Sequence, residues 1–401
     1  MIKSLKRYLN YFSVTLLARK ERVILVRDFF SYYLKKSFLK HSYSSHQKQK
    51  ALERSISWLL HSQENSMDKG FGTYKIAEGW TGSYPETSGY IIPTLVSYAK
   101  SNAQNEMIKK AIDCADWLLS IQRPSGGWQS MYVKDNKPEV VFNTGQVIRG
   151  LVEIYSYTEE KKYLQSAIKA CDWLCSIQEQ DGSWKKFAFM NEKRVYDSYV
   201  DHPLLLVHKI TGNETYRKTA LRNLEWIINE KQLSNGWFQD CDNTIKHNDR
   251  PITHTIAYTI DGLLECGMYL KDDRFVVAAK KAADVLLDIF DRENSLNGRY
   301  DWNWKGSEYL ICTGCAQLAI IWLKLYRLYK NEAYLYAATK MNNMLVYIQQ
   351  RNFNERADTR GAMPGSFPIW GKYEPFAFPN WATKYFADSL MLELETTHSN
   401  N

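Results

Sequence analysis

The sequence repeats one pattern six times, and this repeat limits the folds that are open to the chain. Each unit contains a helix, a turn in which Gly precedes an aromatic residue, and a second helix. A near-constant period that holds two helices is typical of a repeat architecture. Six helical hairpins predict an all-α (α/α)6 toroid with an inner ring, an outer ring and a cavity at one end. The marks of the first helices, spaced by 59, 56, 53, 59 and 59 residues, are Trp58, Trp117, Trp173, Trp226, Val285 and Met344.

The second helix of each unit begins with a polar residue, and Thr or Ser follows it in most units. This pattern is typical of a helix N-cap. The six starts are expected to face one mouth, with the residues four positions later one turn deeper on the same face. Capping alone is the alternative, but it would not require polar residues on the second tier. The first tier is Glu86, Asn143, Asp197, His254, Cys312 and Asn380, and the second is Tyr90, Val147, Asp201, Tyr258, Ala316 and Lys384.

The net charge of +8 is concentrated at the start of the chain. Residues 1–50 contain twelve Lys or Arg and two acidic residues, so the remainder is close to neutral and nucleic-acid binding is not favoured. Apolar stretches interleave with these charges and predict a basic amphipathic helical lead-in over 1–50. The toroid is predicted over 51–395 and a disordered tail over 396–401. The lead-in is expected either to make a peripheral membrane contact or to pack on the outer helices.

The sequence does not indicate a disulfide framework, a metal site, a cofactor site or a membrane-spanning helix. Seven cysteines do not form a dense disulfide framework, which favours a reducing compartment. Cys312 and Cys315 form a CxxC without a second pair, so no metal site is predicted. The Walker, Rossmann, HExxH and Gly-x-Ser-x-Gly motifs do not occur, so nucleotide-dependent enzymes, zinc proteases and serine hydrolases are not favoured and no cofactor is predicted. No apolar run reaches about 18 residues, and the predicted location is the cytoplasm or the cytoplasmic face of the inner membrane.

Two units share a longer motif, Trp-Leu-x3-Gln-x3-Gly-x-Trp, at Trp117–Trp128 and Trp173–Trp184. This motif resembles the repeat of the squalene cyclase and prenyltransferase toroids. In such cyclases a catalytic Asp-x-Asp-Asp-Thr motif opens one inner helix. The corresponding segment here, residues 252–255, has no acidic residue. A terpene cyclase-like activity is therefore the least favoured function.

Three further segments carry a second resemblance: residues 84–94, 254–258 and 379–386. They resemble a bacterial group that accompanies exopolysaccharide, capsule and O-antigen biosynthesis genes, and the resemblance covers most of residues 51–395. That group is similar to the six-hairpin glycosidase-like proteins, which include glycosidases, sugar epimerases and uronate lyases. The resemblance implies a glycan or lipid-linked glycan substrate, and it implies no catalytic assignment.

His254 and Tyr258 are the first catalytic candidates, because they are four residues apart on one face of an inner helix. His exchanges protons near neutral pH, and a Tyr one turn away can act as its partner acid or base. Arg149 and Lys384 could offset a substrate carboxylate during proton abstraction. The alternative is that His254 caps the helix and that Tyr258 belongs to the core.

Carboxylates are the competing candidates, since glycoside hydrolysis generally uses two of them about 5–10 Å apart. Glu86, Asp197 and Asp201 are predicted on inner helices, and other acids occur in loops that are expected to face the mouth. Aromatic residues at the same end could stack on sugar rings, although packing would also explain each of them. The loop acids are Asp301, Glu308 and Glu374, and the aromatic residues are Trp80, Trp302, Trp304, Trp370 and Trp381.

These patterns predict a carbohydrate-active enzyme that processes a bacterial surface polysaccharide or its precursor, with an acidic sugar favoured. Proton transfer, as in an epimerase or lyase, and glycoside hydrolysis both remain open. The alternative from another class is a non-catalytic glycan-binding or assembly protein of a polysaccharide synthesis complex. The candidate substrate-binding residues are Tyr90, Asn143, Arg149, Trp80, Trp302, Trp370, Asn380, Trp381 and Lys384.

Overall fold

The computed structural model describes residues 11–18, 21–33, 41–246, 249–351 and 356–398, and helices dominate these residues. Residues 11–17 are helical, and the other helices are α1 (Arg22–Tyr33), α2 (Ser45–Glu64), α3 (Pro85–Asn102), α4 (Asn105–Ser120), α5 (Val141–Thr158), α6 (Lys161–Ser176), α7 (Ser198–Thr211), α8 (Glu214–Trp226), α9 (Thr253–Leu270), α10 (Asp273–Glu293), α11 (Cys312–Tyr329), α12 (Glu332–Arg351) and α13 (Asn380–His398). The strands are β1 (Tyr74–Lys75), β2 (Gly79–Trp80), β3 (Arg299–Tyr300), β4 (Gly306–Ser307), β5 (Leu310–Ile311), β6 (Ser366–Phe367) and β7 (Ala377–Phe378).

The helices α2 to α13 form two concentric rings. The inner ring contains α3, α5, α7, α9, α11 and α13, and it is closed because α13 packs on α3. The outer ring contains the other six helices, of which α4, α6, α8, α10 and α12 each pack on the inner helix that precedes them. The remaining outer helix, α2, packs on α13. This architecture confirms the predicted (α/α)6 toroid.

The two ends of the toroid differ in the length of their connections. Short loops join each inner helix to the next outer helix at one end, whereas long loops lead from the outer to the inner helices at the other end. All seven strands described lie in these long loops. Strand β1 pairs with both β2 and β7 in antiparallel register, so the loops of the first and sixth units are joined. The long-loop end, where the inner helices begin, is therefore the mouth.

A glutamine amide at the end of an outer helix explains why Gln recurs in the repeat. In the third unit, Gln178 Nε2 donates hydrogen bonds to Gly182 O at 2.8 Å and to Thr219 O at 2.8 Å. The first acceptor lies in the turn that follows the same helix, and the second lies on the next outer helix. Each such amide thus joins two neighbouring units. The equivalent donors are Gln63, Gln122, Gln232 and Gln349.

Glycine is required at the turn between the two helices of a unit. Gly182 has φ of +91°, which favours glycine, and a Cβ built there would lie 2.4 Å from Arg222 O on the next outer helix. Gly126 repeats both features, with φ of +113° and Lys169 O at 2.4 Å. The turn can therefore approach the neighbouring unit closely enough for the glutamine amide to bind both sides.

The polar residues at the inner-helix starts have a different role from the predicted one. The helix starts lie within two residues of the predicted positions, but no side chain caps α3, α5, α7, α9 or α11. The hydroxyl groups instead accept hydrogen bonds from the turn before the helix, as when Thr144 Oγ1 accepts from Trp128 N at 3.0 Å. Ser88 accepts from Phe71 N, and Thr383 from Met363 N. The N-cap prediction was wrong because these groups hold the loops.

The domain limits differ slightly from the predicted ones. Helix α2 begins at Ser45, inside the predicted lead-in, and α13 continues to His398, inside the predicted tail. The helices at residues 11–17 and 22–33 pack on the loop that contains Trp370. Among the described residues, no helix combines the length and apolar character that a membrane span needs.

We predict that Gln178→Leu lowers the free energy of unfolding by about 1–3 kcal/mol, because two backbone carbonyl groups lose their donor. Denaturant unfolding followed by circular dichroism measures this change. Gln180→Leu, an exposed position two residues away, is the matched control and should change stability little. Equal stability of the two variants would contradict the structural role of the glutamine amide.

Candidate active site

A cavity of about 820 Å³ opens at the mouth, above the first turns of the inner helices. Its walls combine residues from the helix starts with residues from the loops of the second, third, fourth and sixth units. Two carboxylates, one imidazole and several aromatic rings line it. The main lining residues are Tyr84, Glu86, Tyr90, Phe142, Asn143, Tyr196, His254, Tyr373, Glu374 and Trp381.

Glu86 is half-buried in the cavity wall, in the first turn of α3, which begins at Pro85. A helix N-terminus favours an ionised carboxylate, and a hydrogen bond with Tyr84 acts in the same direction. Burial outweighs both effects and raises the pKa of Glu86 to about 7. The carboxyl group therefore holds a proton in a substantial fraction of molecules at neutral pH, as a general acid must.

Glu374 is the second carboxylate of the cavity, and it lies in the loop between β6 and β7. The loop is held by Ser366 Oγ, which donates to Tyr373 O at 2.6 Å, and by Phe376 N, which donates to Ile369 O at 2.9 Å. Glu374 adopts φ of +45° at the turn of this loop. Burial raises the pKa of Glu374, and the charge of Lys75 opposes that rise.

His254 presents a neutral imidazole to the cavity. Its Nδ1 lies 2.7 Å from Gln317 Oε1 on α11, and burial lowers the pKa of the imidazole to about 4. Because the amide oxygen accepts a hydrogen bond, the proton is assigned to Nδ1, and Nε2 is the acceptor nitrogen. The ring packs on Tyr258 with centroids 4.4 Å apart and on Tyr373 at 5.7 Å.

Tyr258 lies below the cavity, in an aromatic floor that closes the axis of the toroid. Its ring centroid is 4.8 Å from that of Phe142 and 4.8 Å from that of Tyr199, and Tyr385 is at 5.9 Å. Burial raises the pKa of the Tyr258 hydroxyl well above its usual value. The structure therefore brings His254 to the cavity surface but places its predicted partner beneath it.

Asp197 and Asp201 do not line the cavity. Asp201 is buried between α7 and α8, where its Oδ2 accepts a hydrogen bond from Asn223 Nδ2 at 2.7 Å. Asp197 is buried near Arg194. Burial raises the pKa of both carboxyl groups well above the usual range. Of the three carboxylates predicted on the inner helices, Glu86 alone lines the cavity.

Arg149 and Lys384 face a second cavity, of about 280 Å³, at the opposite end of the axis. Arg149 forms an ion pair with Glu265 at 2.9 Å, and Lys384 forms one with Asp388 at 2.7 Å. Both cations lie on the far side of the aromatic floor. They are separated from the mouth where a substrate carboxylate was predicted to bind.

The predicted amide ligands are divided between the cavity wall and the loops. Asn143 lines the cavity, and its Nδ2 donates to Tyr84 Oη at 3.2 Å and to Gln129 O at 3.1 Å. Asn380 Nδ2 donates to the backbone oxygens of Phe71 and Gly72 at 2.9 and 3.1 Å, so its amide holds a loop.

Of the tryptophans predicted to stack on sugars, Trp381 lines the mouth cavity, and its Nε1 donates to Tyr373 Oη at 2.9 Å. Trp80 instead packs on Trp58, and Trp370 packs under the amino-terminal helices. Trp302 is 55% exposed outside the cavity.

The remaining loop residues that the sequence singled out are held away from the cavity. Asp301 accepts hydrogen bonds from backbone N–H groups of its own turn, and Trp304 Nε1 donates to Asn235 O at 3.0 Å. Glu308 forms ion pairs with Arg299 and Lys372. Among the described residues, no cluster of His, Cys, Asp and Glu is arranged to hold a metal ion.

Sequence reasoning missed Tyr84, Phe142, Tyr196 and Tyr373 as cavity residues. The first three could have been predicted, because each lies within two residues of an aligned inner-helix start. Tyr373 could not, because it belongs to the long insertion of the sixth unit, which has no counterpart in the repeat. Aromatic side chains at these positions line a site suited to sugar rings.

Residues 31–290 match the family model described as beta-L-arabinofuranosidase, GH127 catalytic domain, which is more than half of the chain. The chain belongs to this family. It is thus a member of a glycoside hydrolase family, and the wall that holds Glu86 and His254 falls within the matched region. A comparison with curated protein sequences finds no significant match.

Solved structures of unsaturated glucuronyl hydrolases share the fold. The enzyme specific for heparin is 12% identical, with a TM-score of 0.70 over 88% of this chain and 99% of that chain. The enzyme from Bacillus sp. GL1 is 14% identical, with a TM-score of 0.68 over 86% and 96%. The enzyme from Streptococcus agalactiae is 12% identical, with a TM-score of 0.64 over 88% and 93%. These structural similarities show that the fold is a six-hairpin toroid. The assignment of a reaction rests on the residues of the site.

We predict that wild-type protein loses stability relative to Glu86→Gln as pH rises from 4.5 to about 7. The folded state holds the Glu86 proton more tightly than the unfolded state, whose pKa is near 4.5, so ionisation above that pH destabilises the fold. The difference in unfolding free energy should grow by up to about 3 kcal/mol across this window. Denaturant titrations of both proteins at a series of pH values measure it, and a difference independent of pH would contradict the raised pKa.

Proposed function

We propose that this chain hydrolyses glycosidic bonds, with Glu86 as the general acid and Glu374 as the second carboxylate. The observation that carries the proposal is the half-buried Glu86, whose pKa is raised to about 7, in a cavity that also contains Glu374. Membership of a glycoside hydrolase family supports the same reaction class.

The two carboxyl groups have environments that suit different roles. Protonated Glu86 would donate its proton to the glycosidic oxygen as the bond breaks. Burial raises the pKa of Glu374 as well, but the charge of Lys75 opposes that rise, and in its ionised form Glu374 would attack the anomeric carbon or activate a water molecule. The neutral His254 would accept a hydrogen bond from a sugar hydroxyl through Nε2, and Trp381 would contact a ring face.

The shape of the cavity supports cleavage at the end of a glycan chain. The aromatic floor closes it below, so a sugar enters from the mouth and cannot pass through the axis. Exposed Lys137 at the rim supports an acidic sugar, whereas Lys372 is already paired with Glu308. The sequence resemblance described above supports a bacterial surface polysaccharide or its lipid-linked precursor as the substrate, and the cytoplasmic side of the membrane as the place of action.

We predict that Glu86→Gln lowers kcat by about 100- to 10,000-fold and that Glu374→Gln lowers it comparably, because each removes a group that acts in the transition state. Release of reducing ends measures turnover on arabinofuranosides, unsaturated glucuronides and bacterial exopolysaccharides. Glu106→Gln, at an exposed position on the outer helix α4, is the matched control and should leave turnover unchanged.

Other products would contradict hydrolysis and identify its competitors. New ultraviolet absorbance would indicate elimination, and solvent deuterium in a glycan of unchanged length would indicate epimerisation. Either result, together with loss of activity in His254→Ala, would assign proton transfer to this cavity. Glycan binding without any product would indicate a binding protein.

A further inference from the structure

We propose that the two amino-terminal helices form a docking surface for an anionic lipid bilayer, beside the mouth of the toroid. The docking surface consists of the outward faces of residues 11–17 and of α1. It does not depend on the reaction at Glu86.

The two helices form a fixed hairpin on the toroid. Tyr11 Oη donates to Leu25 O at 2.8 Å, and Arg22 Nε donates to Thr15 O at 3.2 Å, so each helix holds the other. The inward side packs on Trp370, whose ring centroid is 4.9 Å from that of Tyr11 and 5.8 Å from that of Phe29.

The outward side of this hairpin exposes large apolar side chains, which an ordinary surface helix turns toward the core. Five of them are more than half exposed. Single exposed apolar residues need no explanation, but five on two short helices that pack on each other indicate an interaction site. The exposures are Phe12 60%, Leu16 71%, Leu17 70%, Val23 54% and Phe30 59%.

The charges of the segment favour a bilayer over a second protein. Its two acidic residues, Glu21 and Asp28, are both buried on the inward side. Glu21 Oε1 accepts from Tyr74 Oη at 2.9 Å, and Asp28 Oδ2 accepts from Ile369 N at 2.8 Å. Arg22 and Arg27, the basic residues described in these two helices, are both exposed. A surface that combines exposed apolar side chains with exposed arginines, and whose acidic residues are buried, is complementary to anionic lipid.

The docking surface lies close to the mouth cavity. The loop that receives the hairpin at Ile369 and Trp370 continues directly into Tyr373 and Glu374, which line the cavity. A bilayer on the outward face would therefore lie next to the mouth, where a glycan attached to a lipid could reach it.

Flotation of the full chain with vesicles tests the proposal. Wild-type protein should float with vesicles that contain phosphatidylglycerol, and it should float far less with pure phosphatidylcholine or at high salt. The triple variant Leu16→Gln, Leu17→Gln, Phe30→Gln should lose at least about tenfold in partition. A matched triple variant on exposed apolar residues elsewhere, Met67→Gln, Val277→Gln, Tyr336→Gln, should float like wild type. Circular dichroism and thermal unfolding establish that both variants fold.

Three results would overturn the proposal. Wild-type protein that stays unbound with anionic vesicles has no such surface, and equal flotation of both triple variants would place binding elsewhere. Sedimentation velocity gives the third result. If wild-type protein is a dimer, the Leu16, Leu17 and Phe30 changes make it a monomer, and neither protein floats, the surface binds a second copy of the chain.

Discussion

The closed ring depends on one interaction that recurs at five of its six unit boundaries, the bond from a glutamine amide to the next outer helix. A toroid has no terminal unit to cap, so each unit must be held on both sides, and the last must bind the first. Gln349 provides that closure, because its Nε2 donates to Gly361 O in its own turn and to Ala51 O on α2. The close approach of Gly361 to Arg54 O on α2 makes this contact possible. Without closure, the six inner-helix starts would not surround one cavity.

The chemistry of the mouth follows from the balance between two effects at those starts. Helix N-termini stabilise negative charge by about 0.3–1 kcal/mol, whereas burial of a carboxylate costs more than this. At Glu86 burial outweighs the helix, and the group is left able to hold and release a proton near pH 7. The same burial keeps His254 neutral. The aromatic floor around Tyr258 limits the depth to which a substrate can enter. It also separates the mouth cavity from the cavity at the opposite end of the axis.

Most of the fold could be predicted from the sequence because its signals are local. Helical periodicity and the Gly turns placed each inner-helix start within two residues, and Glu86, Asn143 and His254 were predicted at the mouth on that basis. The second tier was predicted less well: Tyr90 lines the cavity, but Asp201 points between the rings. Aligned helix starts do not fix how each helix is rotated about its own axis. Glu374 and Tyr373 depend on the pairing of β1 with β7, a contact between the two ends of the toroid sequence.

The most direct test of the central claim is the structure of the Glu86→Gln variant bound to an uncleaved oligosaccharide. The account predicts a terminal sugar in the mouth cavity, its ring face against Trp381, with the glycosidic oxygen about 3 Å from the side-chain nitrogen of residue 86 and Glu374 on the other side of the anomeric carbon. An oligosaccharide bound in the opposite axial cavity, or bound at the mouth with its glycosidic oxygen out of reach of residue 86, would contradict it.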